Sequence, residues 1–146
     1  MTHLEVLVLH AVVTAYMVGV IVVVQIVHYP LFSWVERSRY PEFQVEHMRR
    51  ITWVVGLPML LEAGLAIGLV LANPQSVRQE LAIVGLVLLA VVWASTAFQQ
   101  VPAHDRLSRG FDGNVHDRLL RSNGLRTMAW VARMVVAWLM VSDAIR

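Results

Sequence analysis

Glu62 and Arg133 each sit near the middle of a long apolar run, Ile51 to Ala72 and Gly124 to Ala144. An ionisable group at such depth is costly unless paired or wetted, and so marks a candidate functional position. Two readings follow. One is a buried ion pair fixing helix register; the other is a charged floor to a cavity or proton path. Both require the two side chains to meet.

A second set of reactive groups lies near the ends of the apolar runs. His28, His47 and His104, drawn from three different runs, can act as acids and bases near neutrality. Three convergent imidazoles can also hold a transition metal (Fe, Cu or Zn), with Gln or Glu as a further ligand. No His-x-x-x-His spacing accompanies them, and interfacial histidines also serve simply as water-facing polar residues. Around them fall Gln25, Tyr29, Gln44, Glu46, Gln99, Gln100, Asn123 and Arg126. Arg126 and Asn123 are expected to orient a carbonyl or phenolate. Gln25, Tyr29, Gln100 and Trp130 are expected to line a substrate site. His10 stands alone, as a hydrogen-bonded helix contact or a heme ligand. His3 and His116 are expected in solvent.

These groups need elements to place them. The chain has 146 residues, 58% hydrophobic and 15% charged, against about 25% charged in soluble domains. Four apolar blocks, over approximately 4–28, 47–72, 79–100 and 122–144, are each long enough to cross a bilayer. The first lacks a basic n-region and a small-residue cleavage site, so it reads as a span rather than a signal peptide. The expectation is a single all-α membrane domain over 1–146, an antiparallel bundle of four transmembrane helices. Asn73-Pro74-Gln75-Ser76 reads as a helix stop and new N-cap, Asp112-Gly113-Asn114 as a turn, and Pro41 as the opening of the second span.

Composition excludes some chemistry. There is no cysteine, hence no disulfide, thiolate ligand or iron–sulfur cluster. All twelve basic residues are arginine, so no lysine Schiff base is available. The pI near 9.7 does not imply nucleic-acid binding, because the arginines lie in loops between spans. Nine fall in the two long loops and their margins, and two on the opposite side. The positive-inside rule then puts the long loops in the cytoplasm, both termini outside, and the protein in the plasma (inner) membrane. Up-down connectivity brings the polar ends of all four spans to that inner face.

Helical phase places Met17, Ile21 and His28 close to the line of His10, and His47, Val54, Pro58 and Glu62 on one stripe. It places Asn123, Arg126, Trp130 and Arg133 on another. Both stripes should face the bundle interior. Gly64-x-x-x-Gly68, on another face, allows close helix approach within the chain or in a homo-oligomer. Trp34, Trp53 and Trp93 read as interface anchors.

Several of these residues form a pattern: Gln25-x-x-His28-Tyr29-Pro30, Phe43-x-x-x-His47, Pro58 and Glu62, then Val101-Pro102-x-x-x-x-Leu107, Asn123-x-x-Arg126-Thr127 and Arg133. It resembles the small four-span membrane proteins, much of whose function is unknown, that include the fungal anthrone oxygenases. The resemblance spans most of the chain as scattered polar marks. It implies a membrane-embedded oxidoreductase, oxygenase-like, acting on a hydrophobic aromatic small molecule. His28, His47, Asn123 and Arg126 would carry the site. A looser resemblance, in size, span number and Leu9-His10, is to the small heme-binding protoporphyrinogen oxidases of bacteria. They rely on a lysine in the third span, which this chain lacks. The competing class is non-enzymatic: a lipid-, small-molecule- or heme-binding protein, or an accessory subunit.

Overall fold

A computed structural model describes residues 2–72, 74 and 77–146. The stop and N-cap expected at Asn73, Gln75 and Ser76 lie outside the described residues. Four helical rods account for most of the described residues. The first is α1, His3–Val23, carried on by a π turn at Val24–His28 and a 3-10 turn at Pro30–Trp34. The second is α2, Tyr40–Ala72. The third joins α3, Gln79–Ser95, through a π turn at Thr96–Gln100 to α4, Val101–Leu107. The fourth is α5, Gly113–Ala144. All four are long and apolar enough to cross a membrane, so the protein is an all-α, multi-pass membrane protein.

Local chemistry sets the ends. Thr2 and Glu5 form a capping box on α1, each side chain accepting from the other's backbone N–H. Pro41 sits in the first turn of α2, where its missing N–H costs nothing. Asp112 does not belong to a turn, as the sequence led one to expect. It is the N-cap of α5, its carboxylate accepting from the backbone of Asn114 and Val115. The chain reverses earlier, at 108–110, where Gly110 takes φ +148°.

The rods run up, down, up and down in a closed square. α1 packs on α2 and α5, and α3 packs on α2 and α5. One apolar core fills the arginine-rich end and the centre, around Met17, Phe32, Tyr40, Met59, Leu119 and Trp130. A smaller core, around Leu7, Leu69, Val136 and Met140, fills the other end. Large apolar side chains cover the outside, among them Val12, Leu57, Leu71, Phe98 and Trp138. In water that surface would aggregate; in a bilayer it is the solvated face. Trp34 and Trp53 stand out into the surroundings, 86% and 80% exposed. Gly64 and Gly68 are exposed too, and a Cβ on either would touch nothing. That face is not used for packing within the chain.

Pro58 interrupts α2 without breaking it. A proline cannot donate to the carbonyl four residues back, here Val54. The Tyr16 hydroxyl of α1 donates to that carbonyl at 3.1 Å, so the carbonyl is not left unpaired on the lipid-facing side. The inward stripe of α2 runs through His47, Ile51, Val55, Met59 and Glu62. Val54 is exposed and Pro58 half-buried, a correction to the expected line.

Candidate functional site

Polar side chains gather in two layers of the bundle. The deeper layer is built on Glu62, which is fully buried. Arg133 Nη2 lies 3.0 Å from Glu62 Oε1, and neither side chain has any exposed surface. Thr14 donates to the same oxygen at 2.9 Å, and Arg133 Nε at 3.1 Å. The Trp130 indole donates to Glu62 Oε2 at 3.0 Å. Arg133 Nη1 donates to the carbonyl of Gly85, and its Nη2 lies 3.3 Å from His10 Nε2. A guanidinium only donates, so His10 accepts there and keeps its proton on Nδ1. One cluster thus ties all four rods together. Gly85 lets it close: a Cβ there would meet Val136 at 3.5 Å and the Arg133 guanidinium at 3.9 Å. His10 is thus a buried hydrogen-bonded contact between helices through Nε2, and its Nδ1 is buried with no protein partner.

The shallower layer lies at the arginine-rich end, where two prolines shape the backbone. Pro30 and Pro102 cannot donate to the preceding turn, and their rings crowd it. In each case the helix has opened into a π turn just before the proline, Tyr29 N bonding to Val24 O at 2.9 Å. A π turn holds an extra residue, so helical phase slips across it. The line from His10 through Met17 to Ile21 stays buried. Beyond the turn Tyr29, not His28, takes the fully interior place, and His28 is half-buried.

The three histidines converge on this layer. His28 Nε2 lies 2.9 Å from His47 Nδ1, so one ring donates and the other accepts. The His47 and His104 ring centroids are 5.2 Å apart. Gln44 Nε2 donates to His104 Nδ1 at 2.6 Å. His104 is then neutral with its proton on Nε2, which it donates to the Tyr29 hydroxyl at 2.8 Å. Tyr29 in turn faces Gln100 Oε1 at 3.5 Å, Gln100 donates to Ser122 at 2.6 Å, and Ser122 donates to Arg118 O at 2.8 Å. The chain of donors runs one way from α2 to α5, an arrangement in which each bond polarises the next.

Asn123 donates to Gln25 at 2.8 Å and accepts from Arg126 at 3.2 Å. Arg126 lies beside the Tyr29 hydroxyl and 5.3 Å over the Trp130 ring. Trp130 therefore links the two layers.

Of the grooves at this end of the bundle, two border residues of the polar layer. One, about 430 Å³, is lined by His28, Phe43, Glu46, His47, Arg50, Ile51 and Val54. The other, about 520 Å³, lies between the third rod and α5 and includes Gln99 and Ser122. Gln25, Tyr29, Gln100, Asn123, Arg126 and Trp130, expected to line a substrate site, line neither of these grooves. They hydrogen-bond or stack on one another inside the bundle. His116 is not solvated as expected. It is buried, with Nε2 2.8 Å from the Tyr29 carbonyl, which lies just before Pro30 in the bent part of the first rod.

Phe32 was not singled out in the sequence. It is fully buried and sits 5.3 Å from His28, 5.0 Å from His47 and 5.2 Å from Tyr29, ring centre to ring centre. Its place four residues after His28 was the available signal.

The expected three-histidine metal site does not take shape. Among the described residues no group of three or more His, Asp or Glu side chains is arranged to hold a metal ion. Both ring nitrogens of His104 are engaged, and His28 and His47 face each other. His47 Nε2 is the one ring nitrogen in this layer that is buried with no protein partner. Compared with protein-family models, curated proteins and solved structures, the chain matches none.

Proposed function

We propose that the protein is a membrane-embedded oxidoreductase, oxygenase-like, which takes a hydrophobic aromatic small molecule into the groove at His28 and His47. The observation that carries this reading is the imidazole pair. One face of it opens to a groove of mainly apolar walls, Phe43, Ile51 and Val54, and His47 Nε2 is left without a protein partner. In the tautomer where His47 Nδ1 donates to His28 Nε2, His47 Nε2 is unprotonated and can act as a general base, passing its Nδ1 proton on to His28 as it gains one. The resemblance to anthrone oxygenases supplies the substrate class: a fused-ring phenolic ketone with an acidic methylene.

In this reading the pair removes a methylene proton, leaving an electron-rich enolate. The enolate gives its electrons to dioxygen, the oxidant. Per turnover CH₂ and O₂ become C=O and H₂O, so two hydrogens and both oxygen atoms are accounted for. Phe43 would hold the ring system, with Phe32 buried behind it against His28 and His47. Tyr29, His104 and Gln44 keep the aromatic wall in place, and Arg126 with Asn123 and Gln25 positions Tyr29 rather than touching substrate. The arginine-rich end faces the cytoplasm of the plasma membrane, with both chain ends on the far side.

The decisive experiment follows oxygen uptake and quinone absorbance when purified protein in lipid nanodiscs meets a hydroxylated anthrone. Turnover that falls at least about 100-fold in His47→Ala is expected for a lost general base. Saturable binding without turnover in the native chain would instead make the protein a carrier. A stoichiometric metal or a Soret band would give the chemistry to that centre. Cysteine labelling at Ser38 and Ser108 tests orientation, since reaction of either with an impermeant reagent from outside would invert it.

A further inference from the structure

The larger groove at the arginine-rich end has a chemistry of its own. Its walls are two facing helical stripes. Phe98, Pro102 and Arg106 follow at intervals of four on the third rod, with Gln99 and Ala103 beside them. On α5, Val115, Arg118, Ser122 and Leu125 follow at intervals of three or four, with Arg121 beside them. The lining contains three arginines and no acidic residue.

Seven of the twelve arginines make no ion pair among the described residues, and three of those seven share this groove. Arg49 and Arg50 bind Glu46, Arg109 binds Asp105, Arg78 binds Asp143, and Arg133 binds Glu62. Arg106, Arg118 and Arg121 make no ion pair among the described residues. Three unpaired guanidiniums around one concavity define a site for an anion, and arginine's planar fork suits phosphate oxygens. Gln99 and Ser122 add polar atoms to the same walls.

The apolar part of the groove says where that anion comes from. Phe98 is 80% exposed and Leu125 44% exposed. They continue outward into Val101 and Met128, at 55% and 65%, on the lipid-facing surface. A soluble anion has no use for such a floor. A phospholipid does: its phosphate meets the arginines while an acyl chain lies along Phe98 and Leu125. We infer that this groove binds an anionic phospholipid of the arginine-facing leaflet. Basic clusters at the cytoplasmic ends of spans are attracted to anionic headgroups in general. Here the cluster is built into a cleft whose wall residue, Ser122, also ends the hydrogen-bond chain from His104 and Tyr29. The inference is independent of any catalytic role for the histidines.

The test is lipid retention. Purified protein is equilibrated with equimolar phosphatidylglycerol and phosphatidylcholine in mixed micelles, stripped of excess, and its bound lipid measured by native mass spectrometry. The native chain should keep phosphatidylglycerol over phosphatidylcholine by at least about tenfold. The triple variant R106Q/R118Q/R121Q should lose that preference. A control of equal charge change away from the groove, R39Q/R49Q/R109Q, should keep it. If the triple variant fails to fold by circular dichroism, the single variants R106Q and R118Q are read instead, and each should reduce the preference several-fold. Equal retention of the two lipids, equal loss in the control, unchanged preference in the groove variants, or displacement by inorganic phosphate at matched concentration would each overturn the inference.

Discussion

The two polar layers of this bundle are made of similar residues and behave as opposites. In the deep layer Glu62 is fully buried and both its oxygens accept hydrogen bonds, from Thr14, Arg133 and Trp130. In the shallow layer His28 is half-buried, His47 has an unpartnered Nε2, and two grooves come up to its edges. The difference is one of closure. The deep layer also keeps one unpartnered ring nitrogen, His10 Nδ1, but neither groove reaches it; sealed in this way, its polar groups fix helix register. Where one group is unspent beside a cavity, chemistry has a place to begin. The ion pair, the residue pair that stands out most in the sequence, thus reads as architecture, and the proposed chemistry rests on the less conspicuous histidines.

The largest effect should come from breaking the closed layer. Arg133→Ala or Glu62→Ala strands a buried charge and should cost about 3–5 kcal/mol of stability. The double variant should cost less than the sum of the singles, as read by thermal unfolding in detergent. Strict additivity would mean the two are not partners.

Next comes Tyr29→Phe, which deprives the His104 N–H of its acceptor. Leaving a buried donor unmatched costs about 1–3 kcal/mol. The same substitution should leave binding in the His28–His47 groove within a few-fold of native, since Tyr29 does not line it. A stability change below the error of the melt would break the proposed donor chain.

Tyr16→Phe frees the Val54 carbonyl beside Pro58, at a cost of about 0.5–1.5 kcal/mol, the net value of one hydrogen bond. Smallest in stability is His28→Ala, expected within about 1 kcal/mol of native because the residue is half-buried. It should still weaken binding of a hydroxylated anthrone at least tenfold by fluorescence titration. Loss of fold with no specific loss of binding would assign His28 to architecture as well.

Much of the fold was legible in the sequence because bilayer spans announce themselves by length and hydropathy. The placement of Glu62 near Arg133 followed from depth alone, and the α5 stripe from Asn123 to Arg133 followed from regular helical phase. What was not legible came in part from departures from that phase. The π turn before Pro30 turns Tyr29 inward and leaves His28 at the margin; Val54 lies at the exposed edge of the α2 stripe, with no break in that helix. His116, read as solvated, is carried inward because the reversal comes at 108–110, leaving room for α5 to start early enough to reach the Tyr29 carbonyl. The metal triad failed for a related reason: convergence of three imidazoles at one depth says nothing about where their nitrogens point.

The Glu62 cluster also bears on how the chain is made. Spans enter the membrane in order, so α2 arrives with its carboxyl before α5 exists. Only α1 is then at hand, and its Thr14 hydroxyl can shelter the carboxyl in the meantime. The fourth span carries Arg133 and is the least apolar, with a mean hydropathy of 1.3 in its best window against 2.2 to 2.5 for the others. A charged residue at the centre of a span costs about 2.5–3.5 kcal/mol at insertion. Residence of the last span in the bilayer is then conditional on the second, and a nascent chain lacking Glu62 should release its fourth segment at the translocon rather than misfold afterwards.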